Sequence, residues 1–153
     1  MHPFNIKQAL LAKHAQHVVL IHFPIALFIV GVAFDVLALR LQKLNAKLGL
    51  AAAAYLNFAV AAVATVPTVA TGLLAWKFQL DSAKLQGVLL LHLAFAMAST
   101  ALIWLVWFVH FQARRLPGAA TPAYRLPLEI CAVLVVALTG HLGGFLSGVN
   151  IPS

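Results

Sequence analysis

Histidine is the residue with which this chain could do chemistry. The sequence holds seven of them, against three acidic side chains and a single cysteine, Cys131. His22, His92 and His141 stand inside long apolar stretches. A neutral imidazole in such a place can ligate haem iron or a transition metal through a ring nitrogen. It can also bond a carbonyl and act only as glue between helices. Glycines gather around the last of the three. Gly140, Gly144 and Gly148 recur every fourth residue about His141, and Gly72 is accompanied by Thr68 and Thr71. Without a side chain, such positions let another backbone or a flat macrocycle come close. The lone cysteine excludes an intrachain disulfide and the paired-cysteine motif of covalent c-type haem.

The elements that must position these residues are four apolar runs, about 18–41, 49–76, 87–111 and 126–149. The chain is 63% hydrophobic and only 8% charged, with a mean hydropathy of +1.00. Soluble domains carry roughly 25% charged residues, so the bilayer is the solvent here. Each run has the roughly 20 residues a spanning helix needs. The runs are continuous and not alternating, which excludes β-barrel strands. Short polar links at 42–47, 77–86 and 112–125, the last with Pro117, Gly118 and Pro122, make successive helices antiparallel neighbours. The expectation is an all-α polytopic membrane protein, a four-helix up-down bundle forming one membrane domain over residues 1–153. Residues 1–17 read as an interfacial segment, with Phe4, Ile6, Leu10 and Leu11 among polar residues. A signal peptide is set aside, because the first run exceeds an ordinary h-region and Arg40, Lys43 and Lys47 follow it. Cys131, inside the fourth run, is expected to be buried and inert.

Helix alternation fixes depth. His22 and His92 come shortly after the starts of the first and third runs, and His141 shortly before the end of the fourth. At about 1.5 Å per residue, all three sit roughly 7–12 Å inside one membrane face. Ionisable groups at that depth are costly and face the bundle interior, where they mark a functional site. The expected cofactor-binding set is therefore His22, His92 and His141, with Gly72, Gly140 and Gly144 giving room. Pro24 and Pro67 can open the helices locally.

Asp35 and Glu129 lie toward the opposite face, where Arg40, Arg114, Arg115 and Arg125 also stand, and read as a structural ion-pair network. His110 ends the third run there and has no second histidine at its level, so one site is expected and not two. Trp76, Trp104, Trp107 and Tyr124 read as interfacial or lipid-facing anchors. The basic residues on that face are Arg40, Lys43, Lys47, Arg114, Arg115 and Arg125, against Lys7, Lys13, Lys77 and Lys84 on the other. The positive-inside rule then puts the larger set in the cytoplasm and both termini outside. The net charge of +7 lies mostly between apolar runs, where it meets lipid headgroups and not nucleic acid. No catalytic triad, carboxylate pair at one level or phosphate loop is present.

The run His17-Val-Val-Leu-Ile-His22-Phe-Pro24-Ile-Ala-Leu, with Asp35 further along, resembles the opening of a family of small bacterial four-helix membrane domains of unknown function. That opening typically reads His-Pro-x-x-Val-His-Phe-Pro-Ile; here Val18 stands where the proline would follow His17. Leu91-His92-Leu is similar to the family's third-helix motif, and Gly140-His141-Leu-Gly143-Gly144 to its closing motif. The resemblance implies a bacterial inner-membrane location. Since some members are joined to redox domains, it also implies membrane electron transfer. The pattern of inward histidines is similar, more distantly, to membrane b-type cytochromes.

The expected function is a membrane-embedded, bis-histidine haem b electron-transfer protein or redox-complex subunit and not an enzyme in its own right. Its partners would be lipids and either other membrane redox subunits or further copies of itself. His92 would pair with His22 or His141. The alternatives are a three-histidine Cu or Zn site, a (bacterio)chlorophyll with one axial histidine, and a cofactor-free accessory or assembly subunit.

Overall fold

The computed structural model describes residues 13–80, 82–115 and 122–147, without the side chains of 13–15 and 79. Among these residues five helices follow one another: α1 Lys13–Arg40, α2 Gln42–Leu48, α3 Leu50–Gln79, α4 Gly87–Arg115 and α5 Arg125–Leu146. The four long ones are apolar and long enough to cross a membrane. Helices prevail because hydrocarbon offers no hydrogen bonds, so each segment must satisfy its own backbone. The protein is an all-α polytopic membrane bundle. α1 and α4 are longer than the apolar runs, since Lys13 to His17 continue the first helix and Gln112 to Arg115 the third spanning one. Helix α1 begins at Lys13, within the segment read as interfacial, and residues 1–12, with Phe4, Ile6, Leu10 and Leu11, lie outside the described residues. So do Asp81, Pro117, Gly118 and Gly148.

α1 packs most extensively against α3, and α4 against α5; α3 with α4, and less so α1 with α5, join these two hairpins. The core between them holds Phe28, Ala54, Phe58, Ala61, Ala62, Ile103, Val106, Ala132 and Val136. Small residues on α3 let α1 come close. At Gly31 a Cβ would stand 2.8 Å from two ring carbons of Phe58. The outward positions are apolar too. Leu56, Val63 and Leu134 are 60, 64 and 65% exposed, an arrangement suited to lipid and not to water. Cys131 belongs to this outer surface, so the expectation of a buried thiol is corrected. It falls on the side of α5 away from Ala132 and Val136.

Gly49 makes the turn between α2 and α3 with φ +68°, and its N–H donates to Asn45 O. Pro24 removes one donor from α1, leaving the Leu20 carbonyl without its helical partner. The Thr68 hydroxyl of α3 lies 3.4 Å from that oxygen and 2.8 Å from its own Ala64 carbonyl. Of the tryptophans expected to face outward, Trp104 is exposed but bonds inward and Trp107 is half-buried. Trp104 Nε1 donates to Thr65 Oγ1 at 3.1 Å, and Trp107 is stacked on Phe111 with ring centroids 5.3 Å apart.

Candidate cofactor cavity

A cavity of about 450 Å³ opens at the end of the bundle where α1 and α4 begin and α3 and α5 finish. Its wall is mostly apolar, with His17, His22, His92, Thr68, Ser99 and Thr139 among the polar lining residues. Two of the histidines are held in closely similar ways. His17 on α1 places Nδ1 3.2 Å from Thr71 Oγ1 on α3. The single hydrogen of that hydroxyl is directed at backbone, since Thr71 Oγ1 lies 2.9 Å from Pro67 O and 3.0 Å from Thr68 O. With that hydrogen on either carbonyl, the oxygen accepts toward His17, and Nδ1 carries the proton. His92 on α4 places Nδ1 3.2 Å from the Thr139 carbonyl on α5. A carbonyl only accepts, so here too Nδ1–H is the donor. His22 Nδ1 donates to Val18 O of its own helix at 2.6 Å. In all three rings this network leaves the lone pair on Nε2, the nitrogen free to ligate.

Each of the two anchored rings also rests on a glycine. A Cβ at Gly72 would stand 3.0 Å from His17 Cε1, and one at Gly143 would stand 3.2 Å from His92 Cε1. Any side chain at either place would press on the imidazole. Gly140 differs, because its nearest neighbour would be Ile25 Cδ1 at 3.8 Å, an ordinary contact. The His92 seat is braced further by Ser99 Oγ, 2.7 Å from Thr139 Oγ1. Thr139 Oγ1 itself donates to Val135 O at 2.8 Å.

Of the residues expected from sequence, His22, His92, Gly72, Gly140 and Gly144 line the cavity. His141 does not. It is exposed, with its ring edge-on to Phe145 at 4.9 Å between centroids. The cause is azimuth. α5 presents Val136, Thr139, Gly140, Gly143 and Ser147 to the cavity, a stripe at helical spacing that leaves position 141 outside it. His17 is the residue sequence reasoning left without a role. The available signal was its place at the same end of the bundle as Thr71 and Gly72.

Over residues 13–149 the sequence matches the family model described as "Predicted membrane protein (DUF2231)". The chain belongs to this family. The match takes in the whole described cavity wall and reaches past Ser147. No match is found among the curated proteins or among the solved structures.

This DUF2231 protein has a second polar cluster at the opposite end, beyond the apolar core. His110 Nε2 lies 2.8 Å from Glu129 Oε1, and Arg125 Nε lies 3.0 Å from Asp35 Oδ2. The latter is a charge contact without the alignment of a hydrogen bond, and Asp35 Oδ2 and Glu129 Oε2 are both buried with no hydrogen-bond partner. The ring of Phe58 packs on His110, with centroids 4.8 Å apart. Asp35 is paired with an arginine as expected, whereas Glu129 meets His110 and no arginine, and both carboxylates are buried inside the protein. Arg114 and Arg115 take no part in those two pairs; their guanidinium groups lie over the rings of Tyr55 and Phe111, at 4.5 and 4.6 Å. His110, which lacks a histidine partner at its level, has Glu129 as its partner instead.

Proposed function

We propose that this protein is a membrane-embedded b-type haem protein that carries electrons, alone or as a subunit of a membrane redox complex, with His17 and His92 as the two iron ligands. One observation carries the reading. Two imidazoles on different hairpins line one cavity, and each keep Nε2 free while Nδ1–H is held by an acceptor. That hydrogen bond fixes the tautomer and ring orientation a metal-bound histidine needs. The cavity volume falls within the roughly 300–1,000 Å³ typical of cofactor and ligand sites, and Gly72 and Gly143 keep its walls clear beside the rings. Haem, when bound, would supply one-electron transfer. The chain's own residues fix the ligand rings and exclude water with an apolar wall, and Lys77 and Lys84, each next in sequence to a lining residue, Trp76 and Leu85, would meet the carboxylates of such a group. His22 stands at the rim.

A compact three-histidine Cu or Zn site is less well supported. Among the described residues, neither His22, His92 and His141 nor His17, His22 and His92 form a trio of ligand atoms within 4.8 Å of one another. The cofactor-free accessory reading predicts colourless protein. In the orientation we propose, both termini and the cavity mouth face outward from the bacterial inner membrane. Arg125 is buried against Asp35, so the basic residues still counting toward that orientation are five against four.

The test is one pair of spectra of detergent-purified protein, oxidised and dithionite-reduced. Wild-type protein is expected to show a Soret band and reduced b-type bands. His17→Ala and His92→Ala should lose them, while His141→Ala and His110→Ala keep them. Colourless wild-type protein after expression with ample haem would remove the proposal.

A further inference from the structure

The buried cluster at the far end is not used by the proposed cofactor. Asp35, His110 and Glu129 each bring one potential ligand atom, and the three atoms lie within 4.8 Å of one another. The residues come from α1, α4 and α5, so the trio exists only once both hairpins have met. They are 4, 6 and 0% exposed. Their bonding is incomplete, since Asp35 Oδ2 has only the charge contact with Arg125 and Glu129 Oε2 is buried without a hydrogen-bond partner. Leaving such an oxygen unmatched costs on the order of 1–3 kcal/mol, and more when it is charged. The charges do not balance either. Two carboxylates face one guanidinium, that of Arg125. With a neutral imidazole, one negative charge stays uncompensated inside a bundle surrounded by hydrocarbon.

We propose that Asp35, His110 and Glu129 form a binding site for one divalent transition-metal ion of the zinc class. One imidazole nitrogen and two carboxylate oxygens are a donor set that suits this ion. At bonds of about 2.0–2.2 Å, tetrahedral ligands stand roughly 3.3–3.5 Å apart. The trio reaches that spacing by turning the carboxylates inward, and the 2.8 Å contact of His110 Nε2 with Glu129 Oε1 opens by about half an ångström. The ion takes the place of the proton between those two atoms, and the ring ligates through Nε2 as the neutral tautomer, with its one proton moved to Nδ1. Arg125 remains on Asp35 and orients that carboxylate from outside the coordination shell. A fourth position is left for water. Loss of one proton from that water, which the ion favours, brings the site to zero net charge. The apolar core separates this site from the cavity, so it stands independently of the haem reading.

The experiment strips purified protein in detergent with a chelator, dialyses it against zinc chloride and measures bound zinc per chain after desalting. About one equivalent is expected, and the same in His17→Ala and His92→Ala. His110→Ala should lose it, and Glu129→Gln should bind at least about tenfold more weakly. Cobalt(II) loaded into the unaltered chain should give the visible absorption of a tetrahedral nitrogen–oxygen site, a reading that needs no variant to fold. Zinc at the level of the protein-free blank overturns the proposal. So does an equivalent that survives in both His110→Ala and Glu129→Gln, or one lost only in the cavity variants.

Discussion

Gly72→Ala separates the site from the fold. The added methyl carbon would stand 3.0 Å from His17 Cε1 and 3.5 Å from both ring nitrogens. Carbon contacts settle at about 3.5–4.0 Å, so the ring must retreat by roughly half an ångström or more. Its bond to Thr71 Oγ1 is already 3.2 Å long, at the outer limit of a useful hydrogen bond, and does not survive the move. Loss of that bond costs about 0.5–1.5 kcal/mol. Replacing a mid-helix glycine by alanine returns about 1 kcal/mol. The two nearly cancel, so thermal unfolding in detergent should change little. Cofactor retention should change a great deal, because removing the partner that orients a ligating histidine costs about 10–100-fold in affinity. Haem titration of the stripped protein, followed at the Soret band, measures this. Gly140→Ala is the control, since its Cβ meets only Ile25 Cδ1 at 3.8 Å; it should bind as wild type. Equal haem affinity in Gly72→Ala and Gly140→Ala would refute the claim that Gly72 positions His17.

Gly31→Ala drives a methyl to 2.8 Å from Phe58, a ring wedged between Phe28 and His110. Overpacking of about 1–3 kcal/mol against a helical gain of about 1 kcal/mol gives a net loss of roughly 0–2 kcal/mol, and adding Phe58→Leu should recover part of it in the same unfolding assay. Asp35→Asn removes the carboxylate in contact with Arg125 and should cost about 1–3 kcal/mol while haem stays bound; a lost spectrum with unchanged unfolding would show that the two ends are coupled. For orientation, a cysteine placed at residue 44, 45 or 46 in a Cys131→Ser background should resist a membrane-impermeant maleimide in intact cells and react after lysis. Labelling from outside would reverse the topology.

Depth was readable from the sequence and rotation was not. Four apolar runs and alternating direction place His22, His92 and the 140–144 glycines at one end, and the structure keeps them there. Whether a side chain at that depth faces the cavity depends on the helix's azimuth, which is set by packing. In segments apolar on every side, hydrophobic periodicity carries little of that information. His141 was misplaced for this reason, and His17 was passed over because it sits near the start of its apolar run. Glu129 and His110 were legible as polar residues at a common level. Their complete burial was not, since it follows from α4 and α5 meeting face to face.

The way each cavity histidine is seated bears on how the protein is made. His17 rests on Gly72 and Thr71, its neighbours across the first hairpin; His92 rests on Gly143 and Thr139, its neighbours across the second. Each ligand is thus oriented within its own hairpin. A nascent chain that has inserted only α1 to α3 already holds one finished half-site, and the second is finished when α5 closes on α4. Membrane helices form first and associate afterwards, so the last step of assembly is the docking of two prepared halves. A cofactor captured between them would act as a clasp joining the hairpins, and the two halves, expressed as separate chains, should find each other most readily in its presence.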